Sequence, residues 1–189
     1  MNTTIMKTNK NITYIKPETY RLISIQNKEV LDIIETEGVY RPSMNLVRWK
    51  KIKHRYEDMI RLMYKNIPIE KPYAPVWGFY RLNNELPPED IHNKVYYGKC
   101  PSPLTDDKDL VMLVLDVPCT EVLLTSFYEW TDYIYFKKYP DDDDYPYTCS
   151  VEDILKLSKN YEDSYEVQAT FPKITKDMIV RVIYPDKKI

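Results

Sequence analysis

Glycine is scarce in this chain. The 189 residues hold three, Gly38, Gly78 and Gly98, and no two lie close together. Loops that cradle phosphate need clustered glycines, because backbone N–H groups must approach the anion with no Cβ in the way. The spacing excludes a Walker loop and a dinucleotide fingerprint. Cysteine is equally rare. Cys100, Cys119 and Cys149 form an odd, sparse set with no C-x-x-C pair, so neither a disulfide framework nor a zinc ribbon is encoded. Cys119 follows Pro118 with no histidine beside it, which argues against a nucleophile. Histidine is reduced to His54 and His92. That leaves little for a structural metal site, for histidine acid–base work or for a Ser-His-Asp set, and the expected metal is none. Long apolar runs are missing too. No stretch approaches the roughly 20 apolar residues of a membrane span. Lys7 and Lys10 are not followed by the apolar core of a secretory signal. The expectation is a cytoplasmic chain with no membrane partner.

A charge excess is also absent. The formal net charge is -2, so any nucleic-acid contact needs a local patch. What remains is ordinary for one globular domain over residues 1–189: 43% hydrophobic and 30% charged residues, enough to bury a core without staples. Tyrosine stands out, with 18 copies. Tyrosines stack on bases and anchor interfaces, although an Ile/Lys/Asn/Tyr-rich composition accounts for the number as well.

Residues 1–16 read as a loose N-terminal arm or an edge strand. The run YRLISIQ at 20–26 alternates and predicts a strand. Asn27 can cap a short helix over 28–37, whose Val30, Ile33 and Ile34 share a face, and Gly38 ends it as a left-handed cap. Over 49–65, Trp49, Ile52, Tyr56, Met59, Ile60 and Met63 recur at spacings of three and four and predict a helix. Pro68, Pro72 and Pro75 stop it. VWGFYR at 76–81 is a strand. Residues 83–109 form a long polar loop with one short strand inside it, a length that points to a functional role or to mobility. LVMLVLDV at 110–117 is nearly all apolar, which predicts a central strand covered on both faces. Helices follow over 126–136 and 151–157, with a strand over 165–171 and a last one over 178–184. The order is not a regular βαβ series. It predicts an α+β domain, a mixed sheet with flanking helices.

Five segments, in order, resemble an uncharacterised bacterial family, domain of unknown function 3841. They are RLISIQNKEVLDIIETEGVYRP at 21–42, YEDM at 56–59, PVWGFY at 75–80, LDVPCTEVLLTSFYEW at 115–130 and VQATF at 167–171. Thr131 and Pro172 stand where that family tends to have histidine and tryptophan. More distantly, LISIQ through Gly38 and the closing VQATF resemble small ADP-ribosyltransferase-like domains. That resemblance implies an ADP-ribosyltransferase-like fold and a site for NAD or another nucleotide. Ser24 would take the first polar position, Tyr80 the middle aromatic one, and Thr170 the place of the catalytic glutamate. Threonine cannot act as a carboxylate, so the resemblance implies weak or lost catalysis.

The residues offer three further candidates. Glu166, Gln168 and Thr170 alternate onto one strand face; they either hold a ribose or peptide or are simply solvated. Gln168 and Thr170 would line the nucleotide site, with Ser24 and Tyr80 opposite. Lys50, Lys51, Lys53 and Arg55, interleaved with Trp49, form a basic patch at a helix start that either engages phosphate, in nucleic acid or another anion, or is a solvated face. Asp141, Asp142, Asp143 and Asp144 form an acidic run, which suits a basic protein partner or a solvated loop. It lacks the alternating ligands and turn glycine of a calcium loop. The alternative to nucleotide binding is therefore a non-enzymatic interaction or inhibitor protein of the kind phages and mobile elements carry.

Overall fold

The computed structural model describes residues 5–8, 11–14, 18–46, 53–68, 74–81, 109–138 and 166–184. Its elements in chain order are β1 (Ile5–Thr8), β2 (Asn11–Tyr14), β3 (Thr19–Asn27), α1 (Glu29–Glu37), β4 (Val39–Tyr40) and α2 (Lys53–Asn66). Then come β5 (Val76–Arg81), β6 (Leu110–Pro118), β7 (Leu123–Ser126), α3 (Phe127–Lys138), β8 (Val167–Phe171), β9 (Ile174–Thr175) and β10 (Ile179–Ile183). The fold is α+β. Six strands form the main sheet in the order β10-β6-β3-β5-β8-β7. Every pairing in it is antiparallel. The mixed sheet expected from the element order is thus corrected: no described crossover returns a strand parallel to its neighbour. β1 pairs β2 as an antiparallel ribbon where an arm or edge strand was expected. β4 pairs β9.

Local chemistry explains most boundaries. Asn27 Oδ1 accepts the Glu29 N–H at 2.9 Å and opens α1. Gly38 closes it with φ +75°, its N–H donating to the Ile34 carbonyl, a conformation that costs other residues about 1–2 kcal/mol. Alternation then divides the sheet residues between two faces. On one, Leu22, Val76, Leu113, Leu115, Ala169 and Phe171 pack with Val30 and Ile34 of α1. On the other, Trp77 and Leu123 pack with Met59, Leu62 and Met63 of α2 and with Trp130 and Tyr133 of α3. Ile23, Met112 and Val114 extend that second face. As its composition implies, β6 is covered on both sides: Val111 through Leu115 are all buried.

Gly78 is fixed by crowding. A Cβ there would stand 2.9 Å from the Ile23 carbonyl oxygen on β3 and 3.4 Å from Phe171 Cε1. The first contact is backbone, so the strands themselves must part. Gly78→Ala is expected to lower unfolding free energy by about 1–3 kcal/mol, read as a drop in the urea midpoint with an unchanged m-value.

Candidate functional site

Strand register, which sequence cannot supply, decides which candidate residues meet. Ile23 lies opposite Phe79, and Phe79 opposite Gln168. Thr125 lies opposite Gln168 on the other side. Directly opposed residues share a face, so Ile23, Phe79, Gln168 and Thr125 share the face that α2 and α3 partly cover. Thr170, opposite Trp77 and Leu123, belongs to the same face, and strand alternation adds Glu166.

Ser24 and Tyr80 fall on the opposite face. Ser24 is fully buried. Its hydroxyl donates to the Trp77 carbonyl at 2.5 Å and accepts from Gln26 Nε2 at 2.8 Å. Tyr80 packs edge-on against Tyr20, ring centroids 5.1 Å apart, in the cluster under α1. The sheet therefore separates Ser24 and Tyr80 from Gln168 and Thr170, and the four do not line one recess.

The row Glu166, Gln168, Thr170 is not solvated. Glu166 is 9% exposed, Gln168 2% and Thr170 0%, beside Thr125 at 0%. Thr170 is satisfied, donating to the Leu123 carbonyl at 3.4 Å, with Met59 Sδ at 3.8 Å. Among the described residues, Gln168 Nε2 and Thr125 Oγ1 are buried with no hydrogen-bond partner. Leaving such groups unmade costs about 1–3 kcal/mol each. Aromatic rings stand beside the pair. Phe79, half-buried and opposite Gln168, meets Phe127 at 5.5 Å. At the strand start the Phe127 N–H donates to the Glu166 carbonyl at 3.3 Å.

Burial raises the Glu166 pKa above the usual carboxylate value. A carboxylate shifted this way adds most stability when protonated, and that contribution is lost as pH rises through the folded-state pKa. Glu166→Gln is therefore expected to raise Tm at pH 7 and to make little difference below about pH 3, where glutamate is protonated in both folded and unfolded chains. Thermal melts across that range check it; a difference that grows toward acid would contradict the assignment.

The basic patch is divided. Lys50 and Lys51 lie outside the described residues. Lys53 opens α2, half-buried. Arg55 turns inward: its side chain is 11% exposed, Nη1 donates to the Tyr133 hydroxyl at 2.8 Å, and its guanidinium lies 4.8 Å from that ring's centre. It is engaged in holding α2 to α3, so the expected four-residue anion patch loses Arg55. Asp141, Asp142, Asp143 and Asp144 lie outside the described residues, as do the expected helix over 151–157 and all of the 83–109 loop except Asp109. Trp77 and Trp130 are packing residues, centroids 5.1 Å apart, with Tyr56 edge-on to both. A shallow recess of about 300 Å³ lies elsewhere, lined by Ile33, Glu37, Val39, Tyr40, Arg41 and Ser43. None of the expected site residues reaches it. Among the described residues, no three His, Cys, Asp or Glu side chains gather as a metal site would require, and no helix is long and apolar enough to cross a membrane.

Sequence reasoning singled out Gln168 and Glu166 but missed Thr125. The signal for it was present: VLLTS at 122–126 is a short apolar run that ends in two hydroxyl residues. Compared with protein-family models, curated proteins and solved structures, the chain matches none.

Proposed function

We propose that this chain is a binding domain for a nucleotide-class ligand, contacted by Gln168, Thr125 and Glu166 on the helix-covered face of the sheet. One observation carries the reading: an amide nitrogen and a hydroxyl, on neighbouring residues of β7 and β8, are buried with no hydrogen-bond partner among the described residues. Apolar residues there would make a more stable sheet, since an unpaired buried polar group is among the costlier features of a core. Unpaired polar groups held in a core point to a task other than folding. The reading keeps the ligand class implied by the resemblance to ADP-ribosyltransferase-like domains and the closing VQATF strand of that fold. It does not use Ser24 and Tyr80, which serve the other face, and it needs no catalysis from Thr170, whose hydroxyl is already engaged.

Calorimetric titration of the full chain with NAD, with ADP-ribose and ATP as companions, tests it. Saturable binding by a folded sample is expected, together with a ligand-dependent rise in Tm. No heat and no Tm shift at millimolar concentrations of all three would overturn it.

A further inference from the structure

We infer that the chain associates with a second copy of itself through the outer edge of β10, joining the two main sheets antiparallel about a two-fold axis at Val182. The association does not depend on the nucleotide site. β10 ends the main sheet: among the described residues it has β6 on one side and no strand on the other. A strand in that position presents a row of backbone N–H and C=O groups, a template for another extended chain. It also leaves apolar side chains in water. The large hydrophobic residues exposed among the described ones are Tyr64, Tyr128, Val180 and Tyr184. The last two, at 48% and 63% exposed, bracket the half-buried Val182 and Ile183. Sheet edges are commonly blunted by charge, bulges or cover. β10 carries one charge, Arg181, and one bulge at its start, where the register against β6 shifts between Ile179 and Arg181. From Arg181 to Ile183 the register is regular.

The residues of the strand select a second copy as the occupant. Two copies close most simply about a two-fold axis, which requires the edge to complement itself. Antiparallel pairing centred on Val182 does so. Val180 then stands opposite the second copy's Tyr184, and Tyr184 opposite its Val180. A β-branched residue facing an aromatic one is a favourable cross-strand pair, and the symmetry makes it twice. Val182 faces the same residue of the other copy. Arg181 faces Ile183, so the two guanidiniums are not opposed. Moving the centre to Arg181 sets like charges opposite each other, which is destabilising. Moving it to Ile183 separates Val180 from Tyr184. One register therefore covers both exposed side chains and keeps the charges apart. Val182, at its centre, packs against the cluster under α1, so the axis stands beside the core and not at a loose end. A contact through one short strand is small, and the dimer is expected to be weak, forming at roughly tens to hundreds of micromolar chain.

Sedimentation velocity of the full chain over roughly 10–500 µM tests it, the range suited to a contact of this size. A concentration-dependent shift from monomer to dimer is expected. Each substitution enters the dimer twice, so Val180→Lys should weaken association about tenfold or more, and Val180→Lys/Tyr184→Lys should abolish it. Val180→Lys/Tyr184→Glu should restore it, because in this register the introduced lysine faces the introduced glutamate of the other copy. Added salt should then weaken that restored dimer. Both positions are exposed, so Tm should hold in all three variants. Amide hydrogen exchange of the wild type needs no substitution and decides the matter if a variant unfolds: the amides from Val180 to Tyr184 should exchange more slowly at the higher concentration. A chain that stays monomeric throughout overturns the inference. So does a dimer that survives Val180→Lys/Tyr184→Lys, one that Val180→Lys/Tyr184→Glu does not restore, or added protection confined to residues outside β10.

Discussion

Phe171→Ala is expected to lower the unfolding free energy by about 3–5 kcal/mol, the range for removing a fully buried aromatic side chain. Phe171 has no exposed surface. It ends β8 opposite Val76 and lies in the cluster that joins the sheet to Val30 and Ile34 of α1. Its ring edge also fills the space above Gly78, where an added Cβ would come within 3.4 Å. Removing the ring leaves a void whose far wall is the backbone of two paired strands, and paired strands collapse poorly. The cost therefore belongs near the upper part of the range. In a chain of this length it corresponds to a Tm drop on the order of 10 °C. Urea denaturation checks it: the midpoint should fall while the m-value holds. A loss under 1 kcal/mol would mean that the cluster repacks and that Phe171 does not organise this face. The double variant Gly78→Ala/Phe171→Ala separates the two effects. It removes the 3.4 Å contact but not the 2.9 Å approach to the Ile23 carbonyl, so Gly78→Ala should remain destabilising in that background.

Elements with a strong local signal were legible in the sequence. LVMLVLDV is β6, VQATF is β8, and Gly38 is the left-handed cap, because the causes are local: apolar density, alternation and a missing Cβ. What failed was relational. Within β8 the alternation places Gln168 and Thr170 on one face. Within β3 it separates Ser24 from Ile23, and within β5 Tyr80 from Phe79. No pattern along the chain says which face of β3 matches which face of β8. The pairings of Ile23 with Phe79 and of Phe79 with Gln168 settle that, and they put Ser24 on the far side. β7 went unseen because it runs into α3 without a turn residue: Ser126 ends the strand, and its hydroxyl accepts the Glu129 N–H of the helix at 3.4 Å. The polar row of β8 reads equally well as solvated or buried, because what covers a strand comes from distant segments. Arg55 shows the same limit. In sequence it stands among lysines, and its partner Tyr133 is 78 positions away.

That partnership gives the second large effect. Asp58→Ala should cost about 2–4 kcal/mol. Asp58 accepts from the Tyr133 hydroxyl at 2.5 Å, from Arg55 Nη1 at 3.4 Å, and from Arg61 on the next turn. The Arg55 and Asp58 side chains are only 11% and 13% exposed, whereas that of Arg61 is 74% exposed. Without Asp58, Arg55 keeps a full charge in a largely dry interface between α2 and α3. Breaking a fully buried pair by deleting one partner costs about 3–5 kcal/mol; the residual exposure here lowers that slightly. Arg55→Met should cost less, about 1–2 kcal/mol, because Asp58 still holds the Tyr133 hydroxyl and Arg61 while the methionine keeps the packing against the ring. The double variant Arg55→Met/Asp58→Ala should then recover part of the Asp58→Ala loss, since the stranded charge is gone. A double-mutant cycle in urea measures that coupling. Simple additivity would show that Arg55 and Asp58 act independently, and a smaller cost for Asp58→Ala than for Arg55→Met would reverse the assignment. Salt supplies an independent check. Raising ionic strength should leave this coupling nearly intact and weaken the exposed Lys176–Glu35 pair, whose side chains are 70% and 69% exposed, because screening acts on charges in contact with water.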